Sequence, residues 1–376
     1  MKKIVIISIV LFIALCTVYV FIDRKNKSSI NIENYPKLIN ETDDTGRIQR
    51  AINASVGSKL RFQEGVYIIG KTIHLPSDIE IDFNSSTIIR KSGLPAFDML
   101  INANPVKGND NLVLKNLIID GNKDADSFVA TSVSDRFSGL KLVKVKNSKL
   151  DNVTVKRTVN GEDQGDNKEL RPAAGIYFVN SFNIDCNNIN GYNNDRTAIF
   201  INKSKVKING STTYNNLGSG ISSTDADESE YHNVVSYNNG YSNISVNGVR
   251  SKVSSVVTYN SKYSGLNIGH DGVPSDDTVV WNIHSYNNAY EGLTIGGSAR
   301  VRVDNIEVYG NHRNNIRVFN KSTASKIYNV ISRDSIGGAG IKYDSGKGHS
   351  LKKANIFNNA LNGIEISKGV SVQLKS

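Results

Sequence analysis

The residues best suited to proton-transfer chemistry lie between positions 225 and 317. His270 is followed directly by Asp271, Asp225 lies 45 residues before His270, and Arg317 lies 47 residues after it. Histidine exchanges protons near neutral pH, and a guanidinium neutralises a carboxylate through two parallel hydrogen bonds. Together these residue types suit the removal of a carbon-bound proton beside a carboxylate.

That chemistry is typical of uronic acid residues in polysaccharides. Their C5 proton becomes removable once Arg, Lys or a cation neutralises the adjacent carboxylate, and a base such as His270 then takes the proton. Loss of the O4 substituent gives a lyase, whereas return of a proton to the opposite face gives an epimerase. We predict four catalytic candidates, His270, Asp271, Asp225 and Arg317. The predicted substrate-binding residues are Tyr177, Phe200, Arg250, Asn267, Arg300 and Lys342.

Two further kinds of site are open at these positions. Asp225, Asp227 and Glu228 are carboxylates of the kind that bind Ca²⁺, which prefers oxygen ligands. Alternatively, Asp225 and Asp271 could be the acid and the base of a glycoside hydrolase. A separation of roughly 6.5–9.5 Å between the two carboxyl groups would then predict inversion.

A repeat of about 23 residues positions all of these residues. A motif of small residue, aliphatic, any residue and aliphatic places its first aliphatic at positions 176, 199, 221, 244, 266, 293, 316, 341 and 364. A Tyr-Asn-Asn motif repeats in step, as in Tyr214-Asn215-Asn216. Several short β-rich runs in each repeat, without a leucine ladder, are typical of one coil of a solenoid. The sequence therefore predicts an all-β, right-handed parallel β-helix.

Stacked coils place equivalent positions in columns about 4.8 Å apart. Asp225, Gly248 and His270 each lie three residues after the outward position of their coil. They are predicted to share a column, with room for a sugar ring at the glycine. The motif asparagines are predicted to adopt the left-handed backbone of a bend and to pair their amides along the axis. The outward position itself is occupied by Tyr177, Phe200, Ser222, Ser245, Asn267, Thr294, Arg317, Lys342 and Glu365. His232, His284 and Trp281 lie outside these columns and are predicted to be structural.

A single domain is predicted over residues 28–376. Within it we expect an N-terminal cap at 40–60, regular coils at 139–376 and a long loop at 157–174. Ile48, Ala51 and Ile52 have helical spacing and predict a short capping helix over the open edges at that end. No comparable cap follows the strand-like Val370-Ser371-Val372, so a homo-oligomer through the C-terminal end of the solenoid is predicted.

The N-terminus and the overall charge predict the location and the partners. Ile4 to Ile22 are 19 residues without a charge, about the length of a membrane-spanning helix. Residues 1–27 are therefore predicted to be a signal-anchor or signal peptide that places the domain outside the cytoplasm, with a membrane as one partner. The net charge of +10 favours polyanionic partners. No zinc-ligand spacing or basic helix accompanies it, so an acidic polysaccharide is expected rather than nucleic acid.

Several segments resemble the pectate-lyase-like β-helix superfamily. Thr42-Asp43-Asp44-Thr45, followed by Ile48-Gln49, is similar to its N-terminal signature. Leu117-Ile118-Ile119-Asp120-Gly121-Asn122 is similar to a strand common to polygalacturonases and mannuronan C5-epimerases. The resemblance covers residues 40–366 and is nearest to the catalytic modules of mannuronan C5-epimerases, although the chain has no Asp-Pro-His, the catalytic stretch of that family. It implies the parallel β-helix fold and leaves the reaction open, because many chemistries share this scaffold.

The polygalacturonase motifs are matched only in part. Gly269-His270-Asp271 is similar to their Gly-His-Gly, but Asp276-Asp277 follows it instead of preceding it, and Arg317 has no Lys two residues later. Three functions therefore remain open. They are a uronate lyase or C5-epimerase, favoured by the charge and by the Arg and His residues, a glycoside hydrolase, and a non-catalytic polysaccharide-binding β-helix. Ca²⁺ is the one cofactor considered.

Overall fold

A computed structural model describes residues 29–94, 97–125, 137–159, 173–270 and 272–375. The predicted signal-anchor at 1–27, Asp271 and most of the predicted loop at 157–174 lie outside the described residues. Within the described ranges, no helix has the length and apolar character needed to cross a membrane.

The N-terminal part of the chain forms a helix and the first coils. Two short 3-10 turns cover Ile32–Asn34 and Lys123–Ala125. The other elements here are helix α1 (Thr45–Ala54) and strands β1 (Ser29–Asn31), β2 (Lys59–Arg61), β3 (Val66–Ile69), β4 (Ile73–Leu75), β5 (Ile79–Arg90), β6 (Leu100–Asn102), β7 (Asn109–Asp110), β8 (Leu112–Asp120), β9 (Leu140–Val143) and β10 (Val145–Lys156).

The rest of the described chain alternates between a short and a longer strand in each coil. These strands are β11 (Ala174–Val179), β12 (Phe182–Tyr192), β13 (Thr197–Asn202), β14 (Lys205–Tyr214), β15 (Ile221–Thr224), β16 (Glu230–Tyr237), β17 (Ile244–Val246), β18 (Lys252–Tyr259), β19 (Leu266–Ile268), β20 (Val279–Tyr286), β21 (Leu293–Gly296), β22 (Arg302–Tyr309), β23 (Ile316–Phe319), β24 (Lys326–Arg333), β25 (Ile341–Tyr343), β26 (His349–Phe357), β27 (Ile364–Ile366) and β28 (Val372–Lys375).

The strands form two parallel sheets around one core. Over the described residues, sheet A has 16 strands and includes the longer strand of each coil, whereas sheet B has 12 strands in the order β4-β6-β9-β11-β13-β15-β17-β19-β21-β23-β25-β27. Each strand pairs with the equivalent strand of the next coil, so that Ile221 pairs with Ile244 and Ile244 with Leu266. The predicted parallel β-helix is confirmed.

Alternation of side chains along each short strand builds the core. In β13, Ile199 and Ile201 are buried while Phe200 between them is only half-buried. Successive residues of a strand point to opposite faces, so one aliphatic pair per coil enters the interior. Full burial of each such side chain contributes about 1.5–3 kcal/mol, and the stacked coils add these contributions along one continuous core.

The Tyr-Asn-Asn motif forms a bend in which its two asparagines have different roles. Asn215 has a left-handed backbone with φ of 54°, whereas Asn216 is buried. Asn216 Nδ2 donates to Asn239 Oδ1 of the next coil at 2.9 Å. Both roles predicted for the asparagine column are confirmed. The tyrosines stack in parallel with centroids 4.7–5.1 Å apart; they are Tyr192, Tyr214, Tyr237, Tyr259, Tyr286 and Tyr309.

Helix α1 caps the N-terminal end of the solenoid, as predicted. Its residues Ile48, Ala51 and Ile52 are buried against the core. The segment Thr42-Asp43-Asp44-Thr45 links the start of the helix to β3. Asp44 Oδ2 accepts a hydrogen bond from the Ile68 backbone N–H at 2.9 Å, and Thr45 Oγ1 accepts one from the Gly70 backbone N–H at 2.9 Å.

The opposite end of the solenoid exposes part of the last coil. Ile341 and Tyr343 of β25 are buried, whereas the equivalent Ile364 is half-buried and Ile366 is exposed in β27. The difference arises because no described strand of sheet B pairs with the far edge of β27. The homo-oligomer through this end stays a prediction.

Candidate functional site

The outward residues of sheet B form one continuous column, called here the outer strip. The strand register joins Phe200 to Ser222, Asn267 to Thr294 and Thr294 to Arg317. With strands about 4.8 Å apart, the nine positions span roughly 38 Å. The members of the strip are Tyr177, Phe200, Ser222, Ser245, Asn267, Thr294, Arg317, Lys342 and Glu365.

An aromatic pair occupies the N-terminal part of the outer strip. Tyr177 is only 4% exposed, and its hydroxyl accepts a hydrogen bond from Asn202 Nδ2 at 3.2 Å. Burial raises the pKa of Tyr177. The centroids of Tyr177 and Phe200 lie 5.4 Å apart. Half-buried Phe200 is therefore the ring of this pair that a ligand can reach.

Neutral hydrogen-bonding groups occupy the middle of the outer strip. Thr294 Oγ1 donates to Asn267 Oδ1 at 2.5 Å, and Asn267 Nδ2 donates to Ser245 Oγ at 3.1 Å. Asn247 Nδ2 donates to the same Ser245 oxygen at 3.2 Å. Ser245 thus accepts two hydrogen bonds, and its hydroxyl donates none within the described part of the chain. A serine hydroxyl can donate one hydrogen bond, so this proton is available to a ligand.

The C-terminal part of the outer strip is charged. Arg317 Nε donates to Asp344 Oδ2 at 2.6 Å, and Arg317 Nη1 lies 3.8 Å from Glu291 Oε1. Lys342 Nζ lies 2.9 Å from Glu365 Oε1 and 3.5 Å from Asp344 Oδ1. Carboxylates and cations therefore alternate here, and each cation is held between two carboxylates.

Glu291 and Asp344 were missed by the reasoning from sequence. Glu291 is 3% exposed, and its Oε1 has no hydrogen-bond partner among the described residues. A buried carboxylate is costly unless a cation lies close, and Arg317 is that cation. One signal in the sequence could have found Glu291. It precedes the motif glycine at the position where other coils carry Ser219 and Ser264.

The predicted column of Asp225, Gly248 and His270 is not formed. Ala226 N donates to Asn247 O at 3.1 Å, and a Cβ on Gly248 would lie 2.4 Å from the backbone of Ala226. Gly248 therefore lies against Ala226, one residue out of register with Asp225. The prediction that Gly248 separates Asp225 from His270 is wrong. Asp225 itself is exposed and has a left-handed backbone with φ of 50°.

His270 opens a short hairpin at the edge of the outer strip. The left-handed position at this bend belongs to Gly269, with φ of 65°. His270 and Val273 then exchange both backbone hydrogen bonds, at 3.1 and 3.2 Å, and the coil resumes at the buried Ser275. The insertion explains why this repeat is 27 residues long. His270 is exposed, three residues beyond Asn267 of the strip.

Arg250 and Arg300 lie in a separate column of alternating charge. Glu228, Arg250, Asp277 and Arg300 all have a left-handed backbone, with φ of 57–58°, at the bend that follows each strand of sheet B. Arg250 Nη2 donates to Glu228 at 3.1 Å, and Arg300 Nε donates to Asp277 at 2.6 Å. Hydrogen bonds from Lys205 and Arg250 lower the pKa of Glu228. The two arginines predicted to bind substrate are thus outside the outer strip and pair with the protein's own carboxylates.

The carboxylates predicted as Ca²⁺ ligands do not converge. Among the described residues, no group of three or more His, Cys, Asp or Glu side chains could hold a metal ion. Asp227 Oδ1 accepts the Val249 N–H at 2.9 Å, and Glu228 pairs with Lys205 at 2.8 Å as well as with Arg250. These contacts make Asp227 and Glu228 part of the bend.

Comparisons with solved structures support the fold. The chain is similar to the A-module of the mannuronan C-5 epimerase AlgE4 of Azotobacter vinelandii, with 15% identity and a TM-score of 0.65 over 93% of this chain and 96% of that one. A double mutant of the periplasmic alginate epimerase AlgG is 14% identical, with a TM-score of 0.65 over 93% of this chain and 82% of that one. The Dettilon tailspike protein is 15% identical, with a TM-score of 0.56 over 90% of this chain and 68% of that one.

The likeness to these proteins is one of fold. No protein-family model matches the sequence, and no curated protein matches it either. The parallel β-helix fold that the resemblance implied is confirmed by these structures. One parallel β-helix can serve unrelated chemistries, so a function for this chain has to be argued from its own side chains.

Proposed function

We propose that the outer strip binds an acidic polysaccharide outside the cytoplasm, and that the chain acts on its uronate residues as a lyase or C5-epimerase. The net charge of +10 favours an anionic polymer. Solved structures of similar fold include a mannuronan epimerase and a periplasmic alginate epimerase, and both names refer to uronate polymers. These points favour the substrate class.

The observation that carries the proposal is the order of groups along the outer strip. The hydrogen-bonded row of Ser245, Asn267 and Thr294 leads without a break to the guanidinium of Arg317. Hydroxyl and amide groups suit sugar hydroxyls, and a guanidinium suits the planar carboxylate of a uronate. A polymer lying along the solenoid axis would meet both kinds of group in succession.

In the proposed reaction, Arg317 neutralises the uronate carboxylate and His270 removes the C5 proton. Only the Nε–H of Arg317 is donated to Asp344, and a guanidinium has five N–H donors, so donors remain for a substrate. Asn267 and Arg317 are two strands apart, about 10 Å along the axis. His270 follows Asn267 at the edge of the strip, and we therefore place one sugar ring between this base and the guanidinium.

The fate of the C5 carbanion distinguishes the two reactions. If the bond to O4 breaks, the electron pair forms a C4–C5 double bond and the polymer is cut. If a second group returns a proton to the opposite face, the configuration at C5 is inverted. Asp225, exposed on the neighbouring bend, and Asp271 are the candidates for this second group. Lys342 beyond Arg317 would bind the next uronate.

Hydrolysis is the second candidate function, favoured by the buried Glu291. Its carboxylate lies beside Arg317 and has an oxygen without a hydrogen-bond partner in the described part of the chain. Asp344 lies on the other side of the same guanidinium. Paired carboxyl groups across a sugar are the usual catalytic residues of glycosidases, so Glu291 and Asp344 would take these roles once a substrate displaced Arg317 from between them.

The experiment is incubation of the full-length chain with alginate and polygalacturonate, followed by three measurements on each sample. Ultraviolet absorbance detects the double bond made by a lyase, C5 stereochemistry by NMR detects an epimerase, and new reducing ends without absorbance detect a hydrolase. Either of the first two signals supports the proposal, and the third alone supports the second candidate. Binding without any product would identify a non-catalytic polysaccharide-binding protein and contradict both.

A further inference from the structure

A serine, a histidine and a glutamate are linked in series on the outer face of sheet A. Ser254 Oγ lies 2.5 Å from His232 Nδ1, and His232 Nε2 lies 3.2 Å from Glu230 Oε2. Glu230 also pairs with Lys252 at 2.8 Å, and hydrogen bonds from Lys252 and His232 lower the pKa of Glu230. Glu230 is therefore ionised and can only accept, so Nε2 of His232 carries the proton. Nδ1 is then the acceptor for the Ser254 hydroxyl.

The register of sheet A places these groups and the only tryptophan of the chain together. His232 pairs with Ser254, and Ser254 pairs with Trp281. The His232 and Trp281 rings flank the smaller serine, and their centroids are 6.0 Å apart. Ser254, 5% exposed, therefore lies between and beneath these two half-buried rings. The indole N–H of Trp281 has no hydrogen-bond partner among the residues that the structure describes.

We propose that Ser254, His232 and Glu230 form a second catalytic site, a serine esterase centre for small acyl esters. Such a centre is recognised by geometry and by roles rather than by position in the sequence. The nucleophile is hydrogen-bonded to a base, and the base is oriented by a carboxylate. The 6.0 Å spacing between the His232 and Trp281 rings restricts the acyl group to a small one. This site is on sheet A, so the proposal is independent of the uronate reaction on sheet B.

The proposed reaction takes place in two acyl transfers. Ser254 Oγ attacks the ester carbonyl while His232 Nδ1 takes its proton, the bond to the alcohol oxygen breaks, and His232 returns the proton to that alcohol. Water then attacks the acyl-serine, again losing a proton to His232, and the carboxylic acid leaves as Oγ regains its hydrogen. The sum is ester plus water giving acid plus alcohol. The indole N–H of Trp281, on the adjacent strand, would donate to the oxyanion.

A histidine on the same sheet provides an internal control. His284 Nδ1 lies 3.4 Å from Glu307 Oε2, so it too is a histidine paired with a carboxylate. Its partners in register are Val257 and Glu307, and neither is a serine. His284 and Glu307 therefore correspond to the base and the carboxylate of the proposed site, but no serine lies beside them in register.

The test is covalent labelling of the folded full-length chain by a fluorophosphonate, with the modified residue located by peptide mass spectrometry. We expect phosphonylation of Ser254 with loss of fluoride, and a burst of nitrophenol from 4-nitrophenyl acetate. Ser254→Ala should abolish both signals. His232→Ala should slow labelling by about 100-fold, the usual effect of a general base. His284→Ala should label at the wild-type rate.

Two further variants separate chemistry from folding. Glu230→Gln keeps the shape of the side chain and should slow labelling at least about tenfold, and Trp281→Phe keeps an aromatic wall without the N–H and should slow ester hydrolysis. Circular dichroism and thermal unfolding identify variants that are still folded. A wild-type chain in which Ser254 stays unlabelled would overturn the proposal. Labelling at an unchanged rate in folded His232→Ala or Glu230→Gln would overturn it as well.

Discussion

The guanidinium of Arg317 bridges two coils of sheet B by donating to Asp344 at 2.6 Å, while the buried Glu291 lies 3.8 Å from its other end. This arrangement fixes the plane of the guanidinium before a ligand arrives. Fixing a side chain in advance reduces the entropy lost on binding. It also makes Arg317 a structural partner of Glu291, so a substitution has to preserve the positive charge if it is to test binding alone.

We predict that Arg317→Lys weakens binding of uronate oligosaccharides about tenfold, or ~1.4 kcal/mol. Lysine keeps a cation near Glu291 but lacks the planar fork that matches a carboxylate. Arg300→Lys is the matched control, because Arg300 pairs with Asp277 outside the outer strip and should leave affinity unchanged. Isothermal titration calorimetry measures both. Unchanged affinity in Arg317→Lys, or equal losses in the two variants, would contradict a specific role for the Arg317 guanidinium in binding.

The asparagine column is predicted to be a major source of stability. Asn216 accepts from the backbone N–H and from Nδ2 of Asn194, and it donates to Asn239 Oδ1 and to Gly191 O. Asn216→Ala leaves several buried groups without partners, at about 1–3 kcal/mol each. We expect its free energy of unfolding to fall by at least ~3 kcal/mol.

Asn215→Gly is the control for that variant. Asn215 is exposed and has a left-handed backbone, which glycine adopts without strain, so stability should change by less than about 1 kcal/mol. Urea unfolding followed by circular dichroism measures both variants. Similar losses in Asn215→Gly and Asn216→Ala would contradict the division of roles between the two asparagines.

His349 is predicted to make the fold sensitive to acid. It is 1% exposed, its Nδ1 accepts the Ser325 N–H at 3.2 Å, and its Nε2 lies 3.0 Å from Ser345 O. Burial lowers the pKa of His349, so the neutral ring is the folded form. Because the pKa is lower in the folded than in the unfolded chain, the stabilisation is fully present above the unfolded-state pKa of about 6.5. It is lost as the pH falls below that pKa.

The corresponding measurement is the free energy of unfolding between pH ~8 and ~5, a range that includes the unperturbed pKa of histidine. His349→Gln cannot take up this proton, so its stability should fall less over this range than that of the wild type. His284→Gln, at an exposed histidine, should keep the wild-type dependence. A wild-type curve that is flat below pH ~6.5 would contradict the assignment.

Much of the fold follows from the sequence because a solenoid repeats its geometry in every coil. The spacing near 23 residues and the period of two within each strand predict both the core residues and the outer strip. The same spacing also predicts contacts between side chains on adjacent coils. His232 and Ser254 are 22 residues apart, and Asp277 and Arg300 are 23 apart, so each pair is also a pair of neighbours on adjacent coils.

Local departures from the repeat could not be predicted from its spacing. The displacement of Gly248 onto Ala226 is a shift by one residue within a bend, and the spacing of the flanking strands does not record it. Burial of Glu291 likewise depends on Arg317 folding over it from the next coil. Such features arise from side-chain packing between coils, which a periodic pattern does not specify.

The most direct test of the central claim is deuterium exchange at C5 of the polymer. The full-length chain would be incubated in D₂O with a uronate polymer, and deuterium at C5 would be measured by mass spectrometry in polymer and product. We predict incorporation or elimination that falls by about 100-fold or more in His270→Ala and is unchanged in His284→Ala. No exchange and no elimination in the folded wild-type chain, or an equal rate in His270→Ala, would contradict uronate chemistry at the outer strip.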